Sequence, residues 1–295
     1  MPAVPALIRF ARLVAMAAVL ALAGARADAQ PPVWTVRGAH ATLILFGSVH
    51  LLPPGLEWRP PVLNEALSRA DEVWFEIPID EAMSAEAVRL ADARGMLPRG
   101  DSLSAHLTPE QDARLKRVTL ALGIDPAALE GMRPWLAEIT LSLLVDARAG
   151  AAASQGVEEQ IENLAPPSAR RRALETPRQQ IAFLADATVG DQVAALEETL
   201  GEIEERPWTY RRVVDEWMTG DLAGLTTDAL EPLRRASPAI YRRLITDRNR
   251  RWASIIQRRL RRRGTIVIVV GMGHLVGAGG VPALLRARGV EVEGP

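Results

Sequence analysis

The chain has 295 residues, 48% of them hydrophobic, a formal net charge of −1 and no cysteine. That length supplies a core for one large domain or two small ones without disulfides, and the missing cysteines exclude both a disulfide and a cysteine-borne lipid anchor. The near-neutral balance excludes a chain-wide basic field, so nucleic acid is not an expected partner.

Residues 1–29 read as a signal peptide. Arg9 and Arg12 form a basic start, Leu13 to Ala25 is an apolar run too short to span a bilayer comfortably, and Ala25-Arg26-Ala27 and Ala27-Asp28-Ala29 offer small-x-small cleavage sites. The expectation is an exported protein, periplasmic or secreted, that is not integral to the membrane once cleaved. A retained N-terminal anchor is the competing reading. Residues 30–295 are then one domain.

Val33 to Val36, a turn at Arg37-Gly38 and the run from Ala41 to Phe46 predict a hairpin. The second strand ends in Gly47-Ser48-Val49-His50, and Leu51-Leu52-Pro53-Pro54-Gly55 follows as a loop. Pro61 to Ala70 predicts a helix, and Val73-Trp74-Phe75-Glu76-Ile77 a second strand; strand, helix and strand at this spacing make a βαβ unit with parallel strands. Glu81 to Leu164 reads as a large helical insertion. Its start signals are the capping box Thr108-Pro109-Glu110-Gln111 and the pairs Asp125-Pro126 and Arg133-Pro134. Ala149 to Gln155 is a loop, and Gly156-Val157-Glu158-Glu159 follows.

A short strand is predicted to end at Ala173-Leu174-Glu175, ahead of a second capping box at Thr176-Pro177-Arg178-Gln179. Asp191 to Glu205 and Trp208 to Thr219 predict amphipathic helices. Ser237-Pro238 opens the longest helix, closed by Gly264 and about 39 Å long. Arg248 interrupts its apolar stripe between Leu244 and Trp252, so a buried acidic or anionic partner is expected. Arg258, Arg259, Arg261, Arg262 and Arg263 read as a solvated helix end that suits the dipole. A last unit repeats the first: the strand Ile266 to Val270, Gly271-Met272-Gly273-His274, a Gly-rich loop, a helix from Pro282 to Arg288, and the strand Val290-Glu291-Val292. The fold class is therefore α/β, with a mostly parallel sheet built from two related strand–Gly-x-x-His–helix–strand units.

Parallel sheets bind ligands beyond the carboxyl ends of their strands. His50, Glu76, Glu175 and His274 fall at such ends, with Arg248 and Asn249 within reach from the long helix. A glycine at each strand end lets the backbone turn sharply, so an imidazole three residues on can face the site. His40 and His106, the other two of the four histidines, read as surface residues. Glu76 lies in an apolar stretch, where a carboxylate is costly without a partner. Two imidazoles and two carboxylates suit a divalent Zn²⁺, Mn²⁺ or Co²⁺. They equally suit metal-free hydrolysis, with a histidine activating water and a carboxylate orienting it.

The chain resembles the TraB/GumN family, which is similar to the Tiki metalloproteases and more distantly to erythromycin-esterase-like hydrolases. The matching pieces are Gly47 to Gly55, Glu76, Arg94-Gly95-Met96-Leu97-Pro98, Lys116 to Arg148, Gly156-Val157-Glu158, Leu174-Glu175-Thr176, Arg248 to Trp252 and Gly271 to Gly277. They run in order through nearly all of residues 30–295. The family often has Asp where Glu158 stands. The resemblance implies an α/β hydrolase-like fold and, by analogy with Tiki, metal-dependent cleavage of a peptide or envelope polymer. His50, Glu76 and His274 would bind the metal, Glu175 or Glu158 would be a further ligand or general base, and Arg248 would hold an oxyanion or an anionic substrate group. Two alternatives stand beside this: a non-catalytic binding or assembly protein, and a metal-free esterase-like hydrolase.

Overall fold

A computed structural model describes residues 30–295. The expected signal peptide lies outside the described residues. A six-stranded sheet runs through the molecule in the order β4-β3-β5-β2-β1-β6. Its strands are β1 (Val33–Arg37), β2 (Ala41–Ser48), β3 (Glu72–Phe75), β4 (Arg170–Ala173), β5 (Gly264–Gly271) and β6 (Glu291–Glu293). β4, β3, β5 and β2 are mutually parallel, while β1 runs antiparallel to both β2 and β6.

The centre of the sheet is apolar on both faces, as expected of strands covered on both sides. Leu43, Leu45, Phe46, Ile266, Val267, Ile268 and Val269 are all fully buried. The helices that matter here are α1 (Pro61–Ser68), α2 (Glu81–Gly95), α3 (Pro109–Ala121), α4 (Pro134–Arg148), α5 (Val157–Leu164), α6 (Pro177–Ala185), α7 (Val189–Glu205) and α8 (Thr209–Thr219). Both expected capping boxes form, at Thr108 and Thr176. The helices of the expected insertion share a core with a later element: Leu103, Leu115, Val118, Leu129, Ala137 and Leu141 pack with Leu196 and Leu200 of α7.

The two related units interleave. β2 leads through α1 to β3, which lies beyond β5, and β5 leads to β6, which lies beyond β2 and β1. Each unit's first strand is therefore the other's neighbour, with Ser48 opposite Gly271. That register puts both Gly-x-x-His loops at one pole.

Arg259, expected on a solvated helix end, is instead buried against Glu72, and three elements differ from expectation. Glu76 stands just beyond β3 rather than within it. Pro126 opens only a short 3-10 turn, Pro126–Leu129. The long helix is helical from Pro238 to Arg259, but Arg242–Thr246 is widened into a π turn and α-helix resumes at Asp247. A π turn displaces the following residues around the helix axis, and Arg248 comes directly after it. Its guanidinium Nη1 donates to the Leu244 carbonyl at 3.0 Å, one turn back. Among the described residues no helix is long and apolar enough to cross a membrane.

Candidate functional site

Close backbone contacts build the first loop. A Cβ on Gly47 would lie 2.1 Å from Met272 Sδ, so the second Gly-x-x-His loop packs directly on the first. The Gly47 carbonyl accepts from Trp217 Nε1 at 2.9 Å. The start of α5 docks on the same loop: the Val157 N–H donates to the Val49 carbonyl at 3.2 Å, and a Cβ on Gly156 would lie 2.1 Å from the His50 carbonyl oxygen. Only glycine permits that approach. It seats Glu158, the second residue of α5, with Oε1 2.6 Å from His50 Nδ1.

His50 has 67% of its side-chain surface open to solvent, while its Glu158 partner is 19% exposed. The charge of Glu158 raises the imidazole to about 9 against the opposing effect of burial. Burial works against the Glu158 charge in turn, but the His50 cation outweighs it and keeps that carboxyl below its ordinary range. At neutral pH the pair is an imidazolium facing a carboxylate.

The second half of the site is closed. Arg248 reaches four partners: Glu175 by Nε at 3.0 and 3.1 Å, Glu76 by Nη2, the Leu244 carbonyl, and His274 Nε2 by Nη1 at 3.0 Å. Its guanidinium carbon also lies 4.7 Å from the Trp252 ring centre and 5.3 Å from that of Phe183. Glu175 has no exposed side-chain surface and accepts from Arg248, Arg251 and Trp252 Nε1. Glu76 accepts from Arg248, from Gln180 Nε2 at 3.1 Å, and from the Gly271 N–H at 2.7 Å. Burial opposes its charge, but His274, which is protonated only in the acid range where Glu76 titrates, together with Arg248, His50 and the Gly271 N–H, holds the carboxyl at about 2. Arg248 is the permanently charged one among them.

The state of His274 follows from its neighbours. Asn249 Nδ2 donates to the Gly279 carbonyl at 2.8 Å, which turns Asn249 Oδ1 toward His274 Nδ1 at 2.6 Å. An amide oxygen only accepts, so Nδ1 carries the proton and Nε2 presents a lone pair to Arg248. Protonation of Nε2 would set two cations 3.0 Å apart in a buried site. Burial and Arg248 accordingly depress His274 to about 3, and it stays neutral. The two imidazoles thus hold opposite charge states, an arrangement that separates proton-transfer roles.

All seven expected residues converge at this pole, in two groups: His50 with Glu158, and Arg248 with Glu76, Glu175, Asn249 and His274. The space at Gly271 touches both, since a Cβ there would lie 3.1 Å from Glu76 Oε1 and 3.8 Å from His50 Nε2. A metal does not fit the side chains as arranged. Among the described residues no three His, Asp or Glu side chains stand where they could hold an ion. His274 Nε2 and Glu76 Oε2 are both turned onto the Arg248 guanidinium, which supplies the positive charge there. Glu175 is spent on two arginines and an indole, so it fixes Arg248 rather than facing solvent. Sequence reasoning missed Gln180 and Arg251. Gln180 lies four residues into the capped helix and Arg251 three after Arg248, and neither spacing marks a residue as special. Of the remaining histidines His40 is exposed, while His106 is half-buried, with Nε2 3.0 Å from Asp101 Oδ2.

The chain is 24% identical over 243 residues to the uncharacterised protein YbaP of Escherichia coli strain K12, covering 82% of this chain and 87% of YbaP. The same figures hold for YbaP of Shigella flexneri. No solved structure matches. A sequence model of the TraB/PrgY/gumN family matches residues 32–294, and the chain belongs to that family.

Proposed function

We propose that the protein is a hydrolase of the cell envelope, acting on a peptide or an envelope polymer, in which the His50–Glu158 pair activates water. One observation carries this reading: within the cluster, His50 is the titratable group that is both open to solvent and backed by a buried carboxylate at 2.6 Å. Once His50 has lost its proton, which its raised value places on the alkaline side of neutrality, such a pair takes a proton from water as it attacks and returns it to the leaving group. Glu76 and Glu175 are saturated by donors, and His274 has its lone pair engaged. These residues hold Arg248 in a closed cluster, in which its charge is met by two carboxylates, so the cluster supports the loops beside His50 rather than facing the substrate. The envelope location rests on the basic start and apolar run within residues 1–29.

A metal-dependent form of the same hydrolysis is favoured by one feature. Both imidazoles have Nδ1 engaged and Nε2 directed inward, the disposition seen in metal-ligating histidines. It requires Arg248 to leave His274 and Glu76.

The test is hydrolysis of a panel of peptide p-nitroanilides and p-nitrophenyl esters by purified protein, with metal content measured on the same sample. Wild type is expected to turn over at least one class, and His50→Ala to lose roughly 10²–10⁴-fold. Undiminished turnover in His50→Ala overturns the role of the pair. Absent turnover with retained peptide binding favours the non-catalytic reading. A stoichiometric transition metal in wild type, lost in His274→Ala, selects the metal form.

A further inference from the structure

The opposite pole, where the parallel strands begin, is built largely of arginine. Four segments meet there. Gly264 N–H donates to the His40 carbonyl at 3.3 Å, Asp71 N–H to the Thr265 carbonyl at 2.9 Å, and Arg170 N–H to the Asp71 carbonyl at 3.0 Å. The turn before β2, the end of α1, the start of β4 and the end of the long helix therefore share one surface.

Its charges do not balance. Arg37 pairs with Glu293 and Arg69 with Glu65. Buried Glu72 is shared by three guanidinium groups, those of Arg170, Arg172 and Arg259. The Asp71 carboxylate accepts from the Thr265 N–H at 2.8 Å. Arg258, Arg261, Arg262 and Arg263 are all exposed and enter no ion pair among the described residues. A chain with a formal charge of −1 overall thus concentrates positive charge at one end.

We propose that this pole is a docking surface for an anionic lipid bilayer. Charge complementarity selects the partner: guanidinium groups pair with phosphate oxygens in two-pronged fashion. His40 is the single aromatic ring in the segments 37–41, 69–72, 168–172 and 258–264, which hold no Phe, Trp or Tyr. One imidazole is not a platform for successive bases, and nothing at the pole inserts into acyl chains. Attachment is electrostatic and reversible by salt. Because the four central strands are parallel, docking by their amino ends turns His50 away from the membrane.

The experiment is flotation of the full chain with vesicles of phosphatidylcholine alone or with about one-third phosphatidylglycerol, at low and high salt. The zwitterionic vesicles report any binding by residues 1–29. The anionic vesicles are expected to bind more tightly, at a contribution of roughly fivefold per arginine near the surface. The gain disappears at high salt and in the fourfold variant R258Q/R261Q/R262Q/R263Q. Arg89→Gln, an exposed arginine paired with Glu86 elsewhere on the surface, leaves it unchanged, and unaltered circular dichroism melts confirm folding. Equal binding to both vesicle types overturns the proposal. So does full binding by the fourfold variant, an equal loss in Arg89→Gln, or capture by dextran sulfate without vesicle binding.

Discussion

Replacing Arg248 with leucine tests the closed half of the site most directly. The guanidinium is 5% exposed and serves Glu76, 9% exposed, and Glu175, fully enclosed. Removing it takes the permanent counter-charge from Glu76 and one of three donors from Glu175. Glu76 is held at about 2 against an ordinary 4.5 by His274, Arg248, His50 and the Gly271 N–H together, so Arg248 accounts for only part of that shift. Breaking a buried pair by deleting one partner costs about 3–5 kcal/mol. Glu175 keeps Arg251 and Trp252, so the lower end of that range is expected. The sign with pH is fixed. A carboxyl depressed in the folded state contributes stability above its unfolded value, and the contribution is lost as pH falls through the folded value. In wild type the Glu76 contribution is complete above pH 4.5 and fades toward pH 2. In Arg248→Leu an uncompensated Glu76 takes up a proton more readily, so the deficit is large at pH 7 and shrinks toward pH 4.5. Urea unfolding at both values, followed by tryptophan fluorescence, measures it; Trp252 lies against the site. A loss below about 1 kcal/mol at pH 7, or one that does not shrink on acidification, refutes the claim that Arg248 holds these carboxylates.

Three further outcomes follow from the same geometry. His50 is expected to titrate near pH 9 by NMR, and Glu158→Gln to bring it down toward the ordinary value. Hydrolysis that uses His50 as base rises with pH through that same range, and a wild-type titration near 6.5 contradicts the ion pair. Gly156→Ala places a methyl group 2.1 Å from the His50 carbonyl oxygen. It is expected to cost about 1–3 kcal/mol and to shift the His50 resonances, whereas an unchanged melting temperature argues against the contact. Asn249→Asp sets a carboxylate against His274 Nδ1 and raises that histidine's proton affinity. If the His274 resonances do not move with pH differently from wild type, the tautomer assigned to it is wrong.

The two central strands β2 and β5 were legible because they are short apolar runs that end in the same Gly-x-x-His phrase. The capping boxes at Thr108 and Thr176 named their helices without help from packing. Arg248 was legible for a different reason: a cation inside an apolar stripe demands a counter-charge, and the structure supplies Glu76 and Glu175. Which carboxylate would serve which group was not legible. Glu158 and Glu175 look alike as polar residues on loops, yet one faces an open imidazole and the other is sealed under two arginines. The difference lies in the docking of α5 on the His50 loop, a contact between segments about a hundred residues apart. The π turn ahead of Arg248 was equally hidden, since Arg242–Thr246 has ordinary helical composition.

The interleaving of the two units also constrains the order of folding. β5 sits in the middle of the sheet, between β2 and β3, yet it is made from residues 264–271. Until that segment arrives, β2 and β3 have no common neighbour, and neither unit can pair its own two strands directly. Pairings of this sequence separation are slow to form. The nascent chain therefore keeps an open sheet for nearly all of its synthesis and closes only when the last tenth is available. A polypeptide that finishes folding so late remains threadable through a translocation channel. Loss of the C-terminal residues from 264 onward removes the centre of the sheet together with one of its two imidazoles.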